Sequence, residues 1–400
     1  MNNSYIMKKI TLIIALIMGL VCLPQVSLAA SADSVRVGAA MTADYLPLLK
    51  GKRVALMSNH TGMVDSIHTL DLMLANGVNV TTIFSPEHGF RGNADAGEHV
   101  NSSVDAKTGI PIASMYDGKK RGPSKAVMDS IDIIVVDIQD VGLRYYTYYI
   151  TMIDLMNAAI EHGKRFMVLD RPNPNGMTVD GPVLDMAYSS GVGRLPIPVA
   201  HGMTLGELAL MANGEGWLKD GKKADLTVIP CHGYTHATRY RLPIPPSPNL
   251  PDMKAIYLYP STCFFEGTPV SLGRGTDWPF TVYGHPAMKN RDFSFTPRSR
   301  PGAKNPPLLN QLCHGVNLRD MTDDEMIAQG VNLAYIIDAY RDLAMGDKFL
   351  TPFFDKLIGN GVTRKQIAEG MSADEIKATW ADDIAAFRQL RAPYLLYPEF

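Results

Sequence analysis

The segment Ser85-Pro86-Glu87-His88-Gly89 places a carboxylic acid and an imidazole side by side, between a proline and a glycine. Proline and glycine favour a tight turn, which would hold both side chains in fixed positions. A partly desolvated glutamic acid has a raised pKa and can protonate the leaving oxygen of a glycoside. We therefore predict that Glu87 is the general acid of a glycosidase site and that His88 orients it or contacts sugar hydroxyls. The alternative is a structural glutamate whose carboxylate caps the following loop amides.

Charged or amide side chains also follow three other strand-like segments, in each case with glycine or proline nearby. These polar segments are Ser58–Gly62, Asp137–Arg144 and Asp170–Pro174. A glycosidase needs a second group that activates water or stabilises the cation, and Asp137 and Asp140 are the candidates for that role. Structural ion pairs between Asp140 and Arg144, and between Asp170 and Arg171, are the alternative interpretation.

Buried strands and amphipathic helices alternate through the first half of the sequence. Apolar, β-branched runs predict strands at Arg53–Asn59, Val78–Ser85, Ile131–Ile138 and Arg165–Leu169. Helical spacing predicts helices at His68–Asn76, Tyr145–His162 and Thr204–Asn213. Alternation of this kind predicts βαβ units and a parallel sheet. Ligands of such sheets bind beyond the carboxyl ends of the strands, so we expect the polar segments to meet at one edge.

The alternation of predicted strands and helices ends after about residue 222. The segment Leu242–Pro251 contains five prolines and predicts a rigid loop. Beyond it the sequence predicts short strands at Ala255–Leu258 and Phe280–Tyr283, and helices near Asn332–Leu343, Thr363–Glu369 and Ala373–Leu390. We therefore predict an α/β protein in which residues 31–225 form a parallel-sheet lobe and residues 226–400 form a smaller α+β lobe.

The N-terminus has the pattern of an export signal. Two lysines precede the apolar run Ile10–Leu23, which is too short to span a bilayer, and small residues offer a cleavage site near Ala29 or Ala30. We predict that residues 1–30 are a signal peptide and that the protein is periplasmic or secreted. No stable membrane insertion is expected after cleavage, although an anchor that stays attached is the alternative.

Charge and cysteine content narrow the possible functions. The formal net charge is −2, with no basic excess that would indicate a nucleic-acid partner. Cys231, Cys263 and Cys313 lie beyond the predicted signal peptide and allow one disulfide in an exported protein. Buried free thiols are the favoured interpretation. The sequence carries no indication of the oligomeric state.

Several familiar motifs are missing from the sequence. It contains no dinucleotide fingerprint, no phosphate-binding loop, no zinc-protease motif and no serine-nucleophile elbow. The spacing of His60, His88 and His99 matches no standard metal pattern. We therefore predict neither a cofactor nor a metal.

An arginine lies in the glycine loop Gly273-Arg274-Gly275 and is suited to bind an anionic group of a ligand.

Eight segments in chain order resemble the signature blocks of the NamZ-type exo-β-N-acetylmuramidases, glycoside hydrolase family 171. They are Ser58–Gly62, Ser85–Gly89, Asp137–Tyr148, Asp170–Pro174, Pro198–Thr204, Ser247–Pro251, Phe265–Thr268 and Gly273–Thr276. The sequence departs from that pattern at Leu272, where an acidic residue is expected. The resemblance therefore gives no support for a carboxylate role at this position, and the substrate preference of this protein could differ in detail from that of the family.

The resemblance implies a Rossmann-like lobe, a smaller C-terminal lobe and an active-site cleft between them. It implies release of terminal N-acetylmuramic acid from the non-reducing end of peptidoglycan fragments, with Glu87 catalytic. The lactyl carboxylate of that sugar could bind Arg144, Arg171 or Arg274, and the loops of Glu266 and Arg274 could close the pocket. The full predicted substrate-binding set is Asn59, His60, Arg144, Tyr145, Tyr146, Asp170, Arg171, His201, Glu266 and Arg274.

The mechanism beyond Glu87 stays open at this stage. A second carboxylate, Asp137 or Asp140, could act as nucleophile or base, or the acetamido group of the substrate could attack instead. An esterase or amidase acting on the same polymer, and a non-catalytic protein that binds muropeptides, are the rival functions.

Overall fold

Strands and helices alternate through the first half of the protein, as the sequence pattern predicts. The computed structural model describes residues 35–86, 90, 103–115 and 122–399, so the predicted signal peptide lies outside it. Its strands are β1 (Arg53–Ser58), β2 (Met63–Val64), β3 (Ile67–His68), β4 (Asn79–Ser85), β5 (Ser103–Val104), β6 (Pro111–Ser114), β7 (Ile133–Asp137), β8 (Arg165–Leu169), β9 (Val179–Asp180), β10 (Ala200–His201), β11 (Asp225–Ile229), β12 (Val282–His285), β13 (Phe293–Phe295) and β14 (Cys313–Asn317). Its α-helices are α1 (Thr42–Leu49), α2 (Thr69–Ala75), α3 (Lys125–Asp129), α4 (Tyr148–His162), α5 (Leu205–Gly214), α6 (Met253–Thr262), α7 (Asp323–Gln329), α8 (Ala334–Leu343), α9 (Pro352–Ile358), α10 (Val362–Ala368), α11 (Ala373–Ala378) and α12 (Ala381–Arg391).

The central sheet has the strand order β11-β8-β7-β1-β4-β6-β5. All neighbouring pairs are parallel except β5 and β6. From β1 the chain moves outward through β4 to β6, crosses to the other side of β1, and moves outward again through β7 and β8 to β11. This is the strand order of a doubly wound, Rossmann-like sheet, with its switch point between β1 and β7. The predicted α/β class is confirmed.

The two strands at the switch point end level with each other. Strand β7 is buried along its whole length, as expected of a parallel strand covered on both faces. In the pairing of β1 with β7, Ser58 lies opposite Asp137. The segments that follow these two residues therefore leave the sheet side by side, at its carboxyl edge.

Local signals set the ends of two helices in this half. Helix α5 begins at the capping box predicted from its sequence, with the Thr204 amide donating to Glu207 Oε2 at 2.9 Å. Helix α4 begins at Tyr148 and not at the predicted Tyr145. Shortly before it, Leu143 forms an isolated β-bridge with Ala200, so the chain is still in an extended pairing close to the predicted start of the helix.

The second half departs from the predicted pattern at three places. Residues Ala255–Leu258 were predicted to form a strand, but they lie in helix α6, because the Asp252 side chain caps that helix by accepting from the Ala255 amide. The predicted helix Ala373–Leu390 is two helices, α11 and α12. Strand β11 belongs to the central sheet, so that sheet extends past the predicted boundary at residue 225.

The C-terminal part combines helices with the antiparallel sheet β12-β14-β13. It shares one continuous core with the large sheet, in which Val136, Tyr145, Tyr259 and Phe354 are all buried.

The three cysteines of the described residues, at positions 231, 263 and 313, are buried free thiols, as the sequence favours. In the part of the chain that the structure describes, no helix has the length and apolar character needed to cross a membrane.

Arg144 connects the sheet lobe to the C-terminal part. Its side chain is fully buried, and its Nη1 donates to the carbonyls of Pro182 (2.7 Å) and Ile197 (2.8 Å). Its Nη2 donates to the carbonyls of Leu357 (3.0 Å) and Ile358 (2.7 Å), at the end of α9. Burial lowers the pKa of Arg144 to about 10, so the guanidinium stays charged at neutral pH. These bonds give the residue a framework role.

Replacing Arg144 by methionine should destabilise the fold strongly, because four buried carbonyls would lose a charged donor. We expect the free energy of unfolding in urea to fall by about 3–5 kcal/mol. The matched control is Arg53→Met, which breaks a solvent-screened pair with Asp132 and should change the free energy of unfolding much less. Equal losses in the two variants would contradict the framework role of Arg144.

Candidate active site

The carboxyl edge of the sheet gathers most of the predicted polar residues of the first lobe. Those in the described part are Asn59, His60, Asp137, Asp140, Asp170 and Arg171, which end or follow strands β1, β7 and β8. Strand β4 ends at Ser85 beside β1, at the same edge. Glu87, His88 and His99 lie outside the described residues.

A hydrogen-bond network joins the segments that follow β1 and β7. Asn59 Oδ1 accepts from the amide (2.9 Å) and hydroxyl (2.6 Å) of Thr61, and its Nδ2 donates to the Tyr148 hydroxyl at 2.9 Å. The Thr61 hydroxyl in turn accepts from the Gln139 amide at 3.0 Å. The sequence prediction included Asn59 but missed Thr61 and Gln139, although both lie inside the polar segments. Asn59 is buried, so its hydrogen bonds hold the segments of this edge together from inside the protein.

The proline-rich loop lies against this edge. His60 Nε2 is 2.9 Å from the carbonyl oxygen of Pro245, and the Tyr146 hydroxyl donates to the carbonyl of Pro246 at 2.9 Å. The Tyr145 hydroxyl donates to the Tyr259 carbonyl at 3.0 Å. Tyr145 and Tyr146 are buried, so both rings pack inside the protein in this conformation. Direct contact of either ring with substrate, which the predicted binding set includes, would require these contacts to open.

Asp137 is held in a buried ion pair with Arg171. Arg171 Nε and Nη2 lie 2.6 and 3.0 Å from the two carboxylate oxygens, and both side chains are almost fully buried. Arg171 also donates to the Met63 carbonyl at 3.0 Å. A two-pronged charged pair of this kind fixes the geometry of both partners. The pairing that the sequence suggested, Asp170 with Arg171, is not the one that forms.

Asp140 has a different environment from Asp137. Its Oδ1 accepts from the Gly142 amide at 2.7 Å, whereas its buried Oδ2 has no hydrogen-bond partner among the described residues. Burial raises the pKa of Asp140 to about 7, although the amides of Gly142 and Val141 oppose the shift. The carboxyl can therefore hold or release a proton near neutral pH. Arg144 bonds only to backbone carbonyls, so the suggested Asp140–Arg144 pair does not form.

Asp170 is saturated by hydrogen bonds. Its oxygens accept from the Thr204 hydroxyl (2.6 Å), the Gly206 amide (2.8 Å), the Tyr397 hydroxyl (2.6 Å) and the Arg171 amide (3.0 Å). Burial raises its pKa to about 6, against the effect of the hydroxyl donors. The carboxyl thus ties β8 to the start of α5 and to the C-terminal segment. No local sequence signal points to Tyr397, because it lies so far along the chain.

His201 ends strand β10 and is buried. Its Nδ1 accepts from the Met203 amide at 3.2 Å, and its buried Nε2 has no partner among the described residues. Burial lowers the pKa of His201 to about 3, and the neighbouring cations Arg391 and Arg144 lower it further. The imidazole is therefore neutral and structural in this conformation.

Glu266 and Arg274 lie together in the C-terminal part, as the sequence suggested. Arg274 Nη2 is 2.6 Å from Glu266 Oε1, and both side chains are partly exposed. Both line a cavity of about 430 Å³. Leu272, the position where an acid was expected, is buried and forms an apolar part of the same wall.

Acidic, cysteine and histidine side chains do not converge as metal ligands within the described ranges, where no group of three or more could hold an ion. What the site offers instead is an ordered polar edge, one aspartic acid with a pKa about 7 and an arginine-lined cavity. These features define an α/β protein with a polar site at the switch point of a doubly wound sheet.

Family comparison identifies the protein more closely. The family models for the N-terminal and C-terminal parts of the exo-β-N-acetylmuramidase NamZ match residues 54–254 and 257–397. The chain therefore belongs to the NamZ family of exo-β-N-acetylmuramidases, and the resemblance seen in its sequence is confirmed.

Three relatives illustrate how far this likeness extends. The chain is 41% identical over 374 residues to the peptidoglycan β-N-acetylmuramidase NamZ of Bacillus subtilis, covering 88% of this chain and 89% of that protein. It is 60% identical to a DUF1343 family protein of Bacteroides fragilis of known crystal structure, with a TM-score of 0.86 over 92% of this chain and 99% of the other. A second DUF1343 protein of that organism is 29% identical, with a TM-score of 0.75 over 91% and 99% of the two chains.

The raised pKa of Asp140 predicts a specific pH dependence of stability. The unfolded chain releases this proton near its ordinary pKa of 3.8, whereas the folded protein keeps it up to about 7. The stabilisation is therefore complete below about pH 4 and is lost as the pH rises to about 7. Across that window the free energy of unfolding of the wild type, relative to Asp140→Asn, should fall by about 1.4 kcal/mol per pH unit at most.

Urea titrations of both proteins between pH 4 and pH 8 measure this difference. The titration of Asp170 is common to both proteins and cancels from it. Replacing the exposed Asp374 by asparagine is the control and should give a curve parallel to that of the wild type. Parallel curves for Asp140→Asn would show that Asp140 is ionised in the folded protein throughout this range.

Proposed function

We propose that this protein is an exo-acting glycoside hydrolase that releases terminal N-acetylmuramic acid from the non-reducing end of peptidoglycan fragments. The observation that carries the proposal is the match to both parts of the NamZ family along residues 54–397. The relative from Bacillus subtilis, 41% identical, is itself named a peptidoglycan β-N-acetylmuramidase. The polar edge at the switch point of the sheet supports it, because ligands of doubly wound sheets bind at that place.

Glu87 is our candidate for the proton donor. It follows Pro86, the last described residue beyond β4, whose end lies beside that of β1. Its place in the sequence, directly after a strand that ends at the polar edge, supports this role.

Asp140 is favoured over Asp137 as the second acid–base group. Proton transfer at neutral pH needs a carboxyl with a pKa near 7, and burial gives Asp140 that property. Asp137 is bound by both carboxylate oxygens to Arg171, so it would have to break an ion pair before it could act. Attack by the acetamido group of the substrate is the alternative, in which Asp140 would serve only to orient that group.

The decisive assay compares chromogenic β-glycosides of N-acetylmuramic acid and N-acetylglucosamine. We expect release from the first and little from the second. Glu87→Gln is assayed on the N-acetylmuramyl–N-acetylglucosamine disaccharide, because its sugar leaving group needs a proton donor. On that substrate the variant should lower kcat by about 10²–10⁴-fold, the usual contribution of a general acid. The control variant is Glu369→Gln, which changes an exposed glutamate of the C-terminal part and should keep full activity.

Three other outcomes of these assays would contradict the proposal. A wild-type enzyme that releases no sugar from either glycoside is not this glycosidase, and an esterase or amidase assay on peptidoglycan would follow. Binding of muropeptides without any turnover would support a non-catalytic binding protein. Turnover by Glu87→Gln within about 3-fold of the wild type would remove Glu87 from the acid role.

We also propose that the protein is exported, to the periplasm or to the medium, through the signal segment at residues 1–30. Mass spectrometry of the protein from a Gram-negative host should find a mature N-terminus just after Ala29 or Ala30. Leu16→Arg, which places a charge in the apolar run, should leave the chain unprocessed in the cytoplasm. A full-length chain in the membrane fraction would show instead that the segment is an uncleaved anchor.

A further inference from the structure

The three arginines that could bind a ligand carboxylate differ in the donors they have left. Arg144 gives both hydrogens of Nη1 and of Nη2 to backbone carbonyls. Arg171 is ion-paired through two nitrogens with Asp137, and its side chain is only 5% exposed. Arg274 makes one hydrogen bond, from Nη2 to Glu266, and its Nε and Nη1 have no protein partner within the described ranges. Arg274 therefore has the most donors available to a ligand.

The surroundings of Arg274 suit a carboxylate that is joined to a small apolar group. Among the described residues, the cavity it lines contains two cations, Arg274 and Lys304, and one anion, Glu266. Val270 and Leu272 line the same cavity and provide an apolar wall next to the guanidinium.

This cavity is tied to the carboxyl edge of the sheet on one side through helix α6. The Tyr145 hydroxyl, from the segment after β7, donates to the Tyr259 carbonyl at 3.0 Å, and the two rings are in edge contact. Helix α6 leads directly into the short turn Cys263–Gly267, which carries Glu266. The Glu266 side of the cavity is thus anchored to the segment that follows β7.

The proline-rich loop ties the other side of the cavity to the same edge. Asn249 Nδ2 donates to the carbonyl of Gly302, a residue of the cavity wall, at 2.8 Å. In the same loop, Pro246 accepts hydrogen bonds from Tyr146 (2.9 Å) and Tyr148 (3.3 Å). The loop therefore connects the wall of the cavity to the polar edge at which we place the chemistry.

We propose that Arg274 binds the lactyl carboxylate of the N-acetylmuramic acid unit and that Val270 and Leu272 contact the lactyl methyl group. The proposal rests on the muramidase function proposed above and adds a residue that determines its specificity. The lactyl ether is what distinguishes muramic acid from glucosamine, so a site that binds it selects one sugar of the alternating polymer. Glu266 holds the guanidinium in place, and Arg274 also lies over the Phe280 ring at 4.9 Å.

The first test compares two substrates that differ only at the lactyl carboxyl group, which is charged in one and neutral in the other. These are the β-glycoside of N-acetylmuramic acid and the same glycoside with its lactyl carboxylate converted to a methylamide. Arg274→Gln should lower kcat/KM on the charged substrate by about 10- to 100-fold, mainly through KM, as expected for the loss of a hydrogen bond between charged groups. On the methylamide the change should stay within about 3-fold, and Arg274→Lys should recover part of the loss on the charged substrate.

Arg298→Gln is the matched control, since Arg298 is exposed and its guanidinium bonds to Asn310 outside the cavity. It should behave as the wild type on both substrates. Equal losses by Arg274→Gln on the charged and neutral substrates would overturn the proposal, because they would reveal a role in the fold alone. No loss on either substrate would overturn it as well. If the glutamine variant does not fold, Arg274→Lys carries the same comparison with a smaller expected loss.

A binding measurement tests the Arg274 carboxylate site independently of the muramidase activity. Calorimetric titration should show that the wild type binds free N-acetylmuramic acid more tightly than N-acetylglucosamine, and that Arg274→Gln removes the preference. Binding that depends on Arg274 in a protein without turnover would reject the muramidase function and keep the carboxylate site. Normal turnover combined with binding that ignores Arg274 would keep the function and reject the site.

Discussion

A buried arginine with no acidic hydrogen-bond partner among the described residues joins the two parts of this protein. Four carbonyls offset the cost of burying the charge of Arg144, and two of them lie at the negative end of helix α9. That helix packs on the turn Cys263–Gly267, because Thr351 donates to the Gly267 carbonyl from its amide (2.9 Å) and its hydroxyl (3.0 Å). Since Glu266 lies in the same turn, Arg144 positions one wall of the cavity without reaching it.

The buried carboxyls of the first lobe separate according to how completely they are hydrogen-bonded. Asp137 has a cation on both oxygens, and Asp170 has four donors, so each is fixed in one geometry. Asp140 Oδ2 has no hydrogen-bond partner among the described residues, and the carboxyl is opposed only by the backbone amides of Gly142 and Val141. Burial without compensation is what raises a carboxyl pKa toward neutrality. Of these three aspartates Asp140 is the least completely hydrogen-bonded, a difference that their sequence contexts do not reveal.

The sequence predicts the fold well wherever local signals decide it. The strands at the switch point, the capping box of Thr204 and Glu207, and the convergence of polar segments all follow from patterns within a few residues. Partners distant along the chain could not be predicted in this way. Arg144 was one of three arginines considered for the lactyl carboxylate, yet its partners Leu357 and Ile358 are more than 200 residues away. The alternative pairing of Asp170 with Arg171 does not form, because Arg171 pairs with Asp137, which is 34 residues away.

The tyrosines that follow β7 provide hydrogen-bond donors that the proline-rich loop lacks. Proline has no amide hydrogen, so a loop with five prolines contains more carbonyl acceptors than internal donors. Tyr146 and Tyr148 supply hydroxyl donors to Pro246 and hold the loop against the carboxyl edge. A stiff loop held at fixed points can shape a binding site at little entropic cost, because few conformations are lost when ligand binds. The tyrosines therefore contribute to the site by ordering its boundary, and any direct contact with sugar would compete with that role.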